Sequence, residues 1–429
     1  MPRTPTLLLL LALSTPAGAR ADGPFRFDQT LRIDLHHMGD SRSEQFLVDE
    51  LRVEGPWPSF RVGLVDNRQY GGTLAEVHSL ERKPVLLFSQ GYCSLFGEWR
   101  TTPQAKRQQR VFSETIRLPM PRAAVRLVLS SRDARGRWTK VFETTVDPSS
   151  TAVSRERRRG GLRVRRLHGS QPPARALDIV VLGDGYQAWQ MGKFRQDAAR
   201  FAEVLLGTEP FSRHRERINI WAVESPSRES GVDEPRKGIF RDTALSMSFN
   251  TFDSPRYLMT TDNRAVRDVA ANAPYDVVYV MSNTSRYGGG GIYNLYASFV
   301  SDNAYDEYVF VHEFGHSFAG LADEYYTSKV AYNGMYPRGV EPWEPNITAR
   351  RVRGAVKWRD MIAADTPVPC AETDSRCAGK VTLFEGAGYS AKGLYRSFVD
   401  CKMFNKGYKP FCPVCMRAVA EMIQRHVGR

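Results

Sequence analysis

Histidine is scarce in this chain, with eight among 429 residues, and His426 alone lies beyond His316. A third histidine ligand to join a pair at that point is therefore not expected. Cysteine is also scarce: there are six, and five of them fall between Cys370 and Cys415, so stapling is expected to be local to the C-terminal region. Long hydrophobic runs are missing. The run Leu7 to Leu13 is too short to cross a bilayer, and no other segment reaches the roughly 20 apolar residues that a membrane-spanning helix needs. The glycines Gly288 to Gly291 lack the Lys-Ser/Thr that completes a phosphate-binding Walker loop. The formal charge of +13 is concentrated around Arg155 to Arg166, without interleaved aromatics, so a nucleic-acid partner is not expected.

What the chain does contain is His312-Glu313-Phe314-Gly315-His316, continuing Ser317-Phe318-Ala319-Gly320-Leu321-Ala322-Asp323-Glu324. Residues four apart share one side of an α-helix, so His312 and His316 can grip one ion. Glu313 sits one residue round, where its carboxylate reaches a water at that ion as a general base does. Val311, Phe314 and Phe318 give the same helix an apolar stripe to bury.

Gly320 suits the left-handed turn that ends a helix and lets the chain fold back with a third ligand. In the metzincin pattern the glycine follows the second histidine by three residues and the last ligand follows the glycine by three. Here the glycine comes four residues after His316, so the pattern is stretched by one. Asp323 is the expected third ligand, with Glu324 next and a distant glutamate, Glu341 or Glu344, behind it as in thermolysin-like enzymes. One catalytic Zn2+ is the expected cofactor.

Further matches are spread along the chain: Val181-Leu182-Gly183-Asp184-Gly185-Tyr186, Ser230-Gly231-Val232, Thr261-Asp262-Asn263-Arg264, Tyr287 to Asn294, and Cys401-Lys402-Met403 with Phe411-Cys412-Pro413-Val414-Cys415. With these the chain resembles the IgA-peptidase family (M64) of zinc metallopeptidases over nearly its whole length. The resemblance implies a metzincin-like catalytic domain behind a β-rich N-terminal domain, and secretion from a bacterium. It also places Met403 in a Met-turn, an apolar floor beneath the metal ligands. It does not imply that immunoglobulin A is the substrate.

The expected fold is an α+β multidomain chain, an N-terminal β-sandwich followed by a metzincin-like zincin domain with a mixed sheet and an active-site helix. Residues 1–21 read as a signal peptide, with Ala19-Arg20-Ala21 as the cleavage pattern, which predicts a secreted or periplasmic product. Residues 22–148 alternate in short runs broken by Gly39, Gly55-Pro56 and Gly71-Gly72, as a β-sandwich does. In that region His36 and His37, adjacent on a strand, would point to opposite faces and so read as structural. Residues 149–175 are expected as an exposed basic linker, and 176–429 as the peptidase domain. It opens with a strand over Leu177 to Leu182, followed by strands over Ile218 to Val223 and Val277 to Met281. Gly183-Asp184-Gly185 mimics a dinucleotide fingerprint, but Glu203 falls inside a helical pattern where the ribose-binding acid should end a strand.

Cys370 and Cys377 are expected to pair. Cys401 could pair with Cys412 or Cys415. A second zinc site on Cys401, Cys412 and Cys415 lacks an obvious fourth ligand, so disulfide or packing roles are the expected ones, ahead of a redox Cys-x-x-Cys. Gly290, Gly291 and Tyr293 are candidates for substrate binding, with Ile292 to Ala297 as a sheet edge to which an extended peptide adds. Tyr293, Tyr326 and Tyr395 are candidates to assist the oxyanion. The chain is therefore expected to be a zinc endopeptidase acting on a protein or peptide. The rival readings are a thermolysin-like peptidase with a distant glutamate ligand and a non-catalytic zinc-containing surface-binding protein.

Overall fold

The computed structural model describes residues 23–327, 335–407 and 409–427; the expected signal segment, residues 1–21, lies outside them. Strands β1 (Phe25–Gly39), β2 (Glu44–Glu54), β3 (Thr73–Ser79), β4 (Leu86–Tyr92), β5 (Arg110–Pro121), β6 (Val125–Arg132), β7 (Trp138–Val146) and β8 (Val153–Ser154) make two four-stranded sheets, ordered β5-β1-β2-β8 and β4-β3-β6-β7. The two-residue alternation of β1 sends Leu31, Ile33 and Leu35 into a core shared with Ala75, Val77, Leu127 and Leu129 of the other sheet. His37 is buried against Glu114 at 2.6 Å, whereas His36 lies 3.5 Å from Asp49.

The second region carries β9 (Arg163–His168), β10 (Leu177–Asp184), α2 (Met191–Leu206), β11 (Ile218–Glu224), α3 (Asn263–Ala270), β12 (Val277–Ser282), β13 (Gly289–Ile292), β14 (Tyr296–Val300) and α4 (Asp306–Ala319). Its six-stranded sheet runs β13-β14-β12-β10-β11-β9. The four inner strands are parallel and both edges antiparallel, so this is a mixed α/β sheet. Every residue of β10 is buried. Leu177, Ile179 and Val181 enter a core built with α2, α4 and the C-terminal helix α5 (Pro413–Val427). Val180 and Leu182 enter another that includes α3 and, from the N-terminal region, Phe96 and Trp99 of the short helix α1 (Leu95–Trp99). A strand covered on both faces reads as the continuous apolar run seen in its sequence.

The N-terminal region is thus packed against the second. Arg32, on the side of β1 opposite its core, is buried and pairs with Asp34 at 2.8 Å and with Asp268 of α3 at 2.7 Å. The basic segment over 149–175, expected as an exposed linker, keeps Arg155, Arg157, Arg159, Arg163, Arg165 and Arg166 exposed and also pairs into the sheets: β8 pairs with β2, and β9 forms the edge beside β11. Arg165 reaches Glu224 at 3.2 Å and the Arg166 guanidinium lies 4.2 Å from the Trp221 ring centre. Backbone pairing and stacking on an aromatic hold these arginines in place while leaving them exposed to solvent.

The sheet edge also differs from expectation. The edge strand is β13, over Gly289–Ile292, whereas in the stretch Ile292 to Ala297 the residues 293–295 form a turn leading into β14, an inner strand. A small third sheet of β15 (Ile347–Thr348), β16 (Phe384–Ala387) and β17 (Ser390–Arg396) follows α4, and Cys370 and Cys377 form a disulfide beside it. No described helix is long and apolar enough to cross a membrane.

Candidate metal centre

Helix α4 presents the histidines. It packs against β13 and β14, and Asp306 and Glu307 in its first turn complement the helix dipole. Gly320 ends it at φ +63°, with its N–H returned to the carbonyls of Gly315 and His316. The chain reverses there as the glycine predicts, and Asp323 arrives beside both histidines.

The three candidate ligand atoms form a tight triangle. His312 Nε2 and His316 Nε2 are 3.1 Å apart, and Asp323 Oδ1 lies 3.0 Å from the first and 3.3 Å from the second. Zinc held at about 2.0–2.2 Å by tetrahedral ligands spaces them by roughly 3.3–3.5 Å, close to these edges. The far ring nitrogens face carbonyl oxygens: His312 Nδ1 is 3.1 Å from Lys402 O and His316 Nδ1 is 2.5 Å from Leu321 O. Each Nδ1 therefore carries the proton and donates it, leaving both Nε2 lone pairs aimed at a carboxylate oxygen. Asp323 Oδ1 is buried and has no hydrogen-bond donor. Three acceptors converging without a donor are stable around a cation, and their imidazole and carboxylate chemistry suits zinc.

The local electrostatics follow from burial and from this carboxylate. With a proton as the only available cation, burial works against charge on His316, yet the adjacent Asp323 pushes it up to about 9. Asp323 in turn is held well below the ordinary carboxylate range, against its own burial, by the two imidazoles. Burial raises the Glu313 carboxyl, opposed by His312 and His316 and reinforced by Asp323. A carboxyl that gives up its proton less readily than a free one is suited to taking a proton and returning it.

Several supporting contacts were not legible in the sequence. The Tyr389 hydroxyl donates to Asp323 Oδ2, and Tyr389 adopts φ +61°, a strained conformation for a bulky side chain. The Tyr308 hydroxyl donates to Lys402 O at 3.1 Å, the same carbonyl that orients His312. Met403 is fully buried, and a Cβ at Gly315 would come within 2.9 Å of its sulfur, so the Cys401-Lys402-Met403 turn lies directly against α4. Met403 O accepts the N–H of Glu324 at 2.9 Å.

The other candidates separate. Glu324 is turned away from the histidines toward Cys415, at 3.3 Å. Glu341 pairs with Lys357 at 3.1 Å and Glu344 with the Tyr336 hydroxyl at 3.0 Å. Gly290 and Gly291 line the cleft, but the space beside Gly291 belongs to the protein: a Cβ there would sit 2.3 Å from Glu313 O. The Tyr293 ring packs near Tyr70 and Trp343, Tyr326 near Phe404, and the Tyr395 hydroxyl lies 3.4 Å from Glu385. Cys401 and Cys415 stand 3.8 Å apart at sulfur, and neither they nor Cys412 are in a disulfide.

The centre opens into a cavity of about 1030 Å³. Glu44 and Arg132 of the N-terminal region line it, together with Arg256, Tyr287 and Tyr325 from the second. This wall could not be read from the sequence because it is made by packing the two regions together.

A model of the family described as IgA Peptidase M64 matches residues 166–380 and 371–423, and one described as Peptidase M64 N-terminus matches residues 24–143. No curated protein matches the chain.

Proposed function

Since this chain belongs to the IgA Peptidase M64 family, we propose that it is a zinc-dependent endopeptidase in which His312, His316 and Asp323 hold the ion and Glu313 is the general base. The observation that carries this reading is the convergence of two Nε2 lone pairs and a donorless carboxylate oxygen beside that glutamate. Zinc at this point would polarise the scissile carbonyl and make water acidic enough to attack near neutral pH. Glu313 takes the proton from the attacking water and delivers it to the leaving amine. Lys402 O and Leu321 O fix the histidine tautomers, Tyr389 orients Asp323, and Met403 supports α4 from below in a metzincin-like arrangement.

Strand β13 runs beside the base with Gly289 already bridged to the 256–258 segment, and a substrate in extended form would align along the remaining edge at Gly290 and Gly291, with Tyr293 backing that end of the cleft. Glu44 and Arg132 extend the binding wall from the N-terminal region. The size and two-sided lining of the cavity favour a protein or peptide substrate. The Cys370–Cys377 disulfide supports a secreted or periplasmic setting.

A non-catalytic zinc site would be closed by four protein ligands, and here three converge with a base at the open side. A thermolysin-like arrangement needs a distant glutamate at the ion, and Glu341 and Glu344 are engaged elsewhere. The test is to incubate zinc-loaded wild type and Glu313→Ala with a complex protein mixture and sequence the new peptide termini. Wild type alone should generate them, and the residues flanking each cut read the specificity. Identical termini from the variant would overturn the assignment.

A further inference from the structure

A second cluster of metal-binding side chains lies directly behind the first. Glu324 Oε1 and the sulfurs of Cys401, Cys412 and Cys415 all fall within 4.8 Å of one another, and all four residues are buried. The cysteines come from two places: Cys401 opens the turn that carries Met403, and Cys412 and Cys415 flank the start of α5. Glu324 follows Asp323, so one backbone reversal aims consecutive carboxylates at two different centres.

The spacing is that of coordination. Cys401 Sγ and Cys415 Sγ are 3.8 Å apart, far beyond a bonded pair at about 2.05 Å. Tetrahedral zinc with sulfur ligands at about 2.3 Å sets sulfurs roughly 3.8 Å apart, and sulfur and carboxylate oxygen roughly 3.5 Å apart. Glu324 Oε1 lies 3.3 Å from Cys415 Sγ and 4.0 Å from Cys412 Sγ, on either side of that value.

The donors around the cluster are those that anionic sulfur attracts. Cys401 Sγ accepts backbone N–H groups from Cys412 at 3.2 Å and Met403 at 3.5 Å, and Cys412 Sγ accepts that of Cys415 at 3.4 Å. Ser397 Oγ is 3.3 Å from Cys412 Sγ. The first turn of α5 adds its dipole. Asn346 donates to Glu324 Oε1 at 3.1 Å, while Glu324 Oε2 is buried without a donor. A disulfide would use two sulfurs and strand a third beside a buried carboxylate. Thiol exchange needs access, and Cys401, Cys412 and Cys415 are 0%, 3% and 0% exposed.

We propose that Glu324, Cys401, Cys412 and Cys415 bind a second, structural zinc ion. Four protein ligands close the site, in contrast to the three at the catalytic centre. The site ties together the segment carrying Asp323, the turn whose Lys402 carbonyl orients His312, and helix α5. Its ligands are not those of the proposed catalytic ion, so metal content tests the two sites separately.

The test uses the full chain purified without added chelator, with zinc counted per chain. Wild type should hold two ions, His312→Ala/His316→Ala one, and Cys412→Ser/Cys415→Ser no more than one. Cobalt reconstitution supplies a second readout. Thiolate-to-cobalt charge-transfer absorption should persist in His312→Ala/His316→Ala, because the catalytic centre contains no sulfur. If the cysteine variant does not fold, the zinc count and cobalt band of the histidine variant carry the test, and alkylation of denatured, chelator-treated wild type without reductant reads the disulfide alternative: Cys401, Cys412 and Cys415 should all be modified. A disulfide between any two of them, or loss of all zinc and of the charge-transfer band in the histidine variant, would overturn the proposal. Two ions reduced to one by the histidine substitutions supports both sites, whereas one ion that survives them supports this site and counts against the catalytic one.

Discussion

Removing the hydroxyl of Tyr389 probes how the proposed catalytic centre is held. Tyr389 donates to Asp323 Oδ2 while Oδ1 faces the two histidine nitrogens. Tyr389→Phe leaves the ring and the backbone, including the φ of +61° and the N–H bond to Tyr325 O at 3.0 Å, so the strain of about 1–3 kcal/mol is unchanged. What is lost is the hydroxyl donor to Asp323 Oδ2. Loss of such an outer partner weakens zinc by about 10- to 100-fold, equivalent to about 1.4–2.8 kcal/mol. The assay is initial peptidase rate against free zinc set by a buffered chelator, which reads the catalytic ion alone. The midpoint should move to higher free zinc by that factor, with the plateau rate largely preserved. An unmoved midpoint with a collapsed plateau would refute the reasoning and make Tyr389 a group that touches the substrate.

Other expectations follow from the same contacts. Asp323→Ala should abolish zinc-dependent rate at free zinc levels that saturate wild type, whereas Glu341→Ala should keep its midpoint; the reverse result would favour a distant-glutamate ligand. Because burial raises the Glu313 carboxyl, the base stays protonated to higher pH than a free glutamate, so kcat/KM should rise with pH through a midpoint above about 4.3; a pH–rate profile flat across that range would contradict this. Arg32→Met leaves Asp34 and Asp268 buried without their partner and should cost about 3–5 kcal/mol in denaturant unfolding, and a loss below about 1 kcal/mol would show that the ion pairs do not hold the two regions together. Gly291→Ala places a Cβ 2.3 Å from Glu313 O and should lower activity by displacing β13 from α4, detectable as a fall in kcat with zinc retained.

The features that could be read ahead were those written in local spacing. His312, Glu313 and His316 sit on one helix, and Gly320 ends it at the position that returns Asp323 to the histidines, even though the interval is one residue longer than the familiar pattern. The apolar run over Leu177 to Leu182 announced the strand β10. Contacts between distant segments were not legible. Tyr389 meets Asp323 from 66 residues away, and nothing in its neighbourhood marks it. The fourth member of the cysteine cluster was hidden for a different reason: Glu324 adjoins Asp323, and the sequence does not show that neighbouring carboxylates turn to opposite sides. The exposure of the basic segment was legible in its charge, whereas its strand pairing to β2 and β11 is a property of the assembled sheets.

The central claim is that Glu313 performs the proton transfers at a zinc centre it does not help to bind. The direct measurement is the initial rate of Glu313→Gln on one wild-type cleavage site, with zinc content determined on the same sample. Zinc content equal to wild type and a rate reduced by about 100- to 10,000-fold is the expected result. An undiminished rate, or loss of the catalytic zinc together with activity, would contradict it.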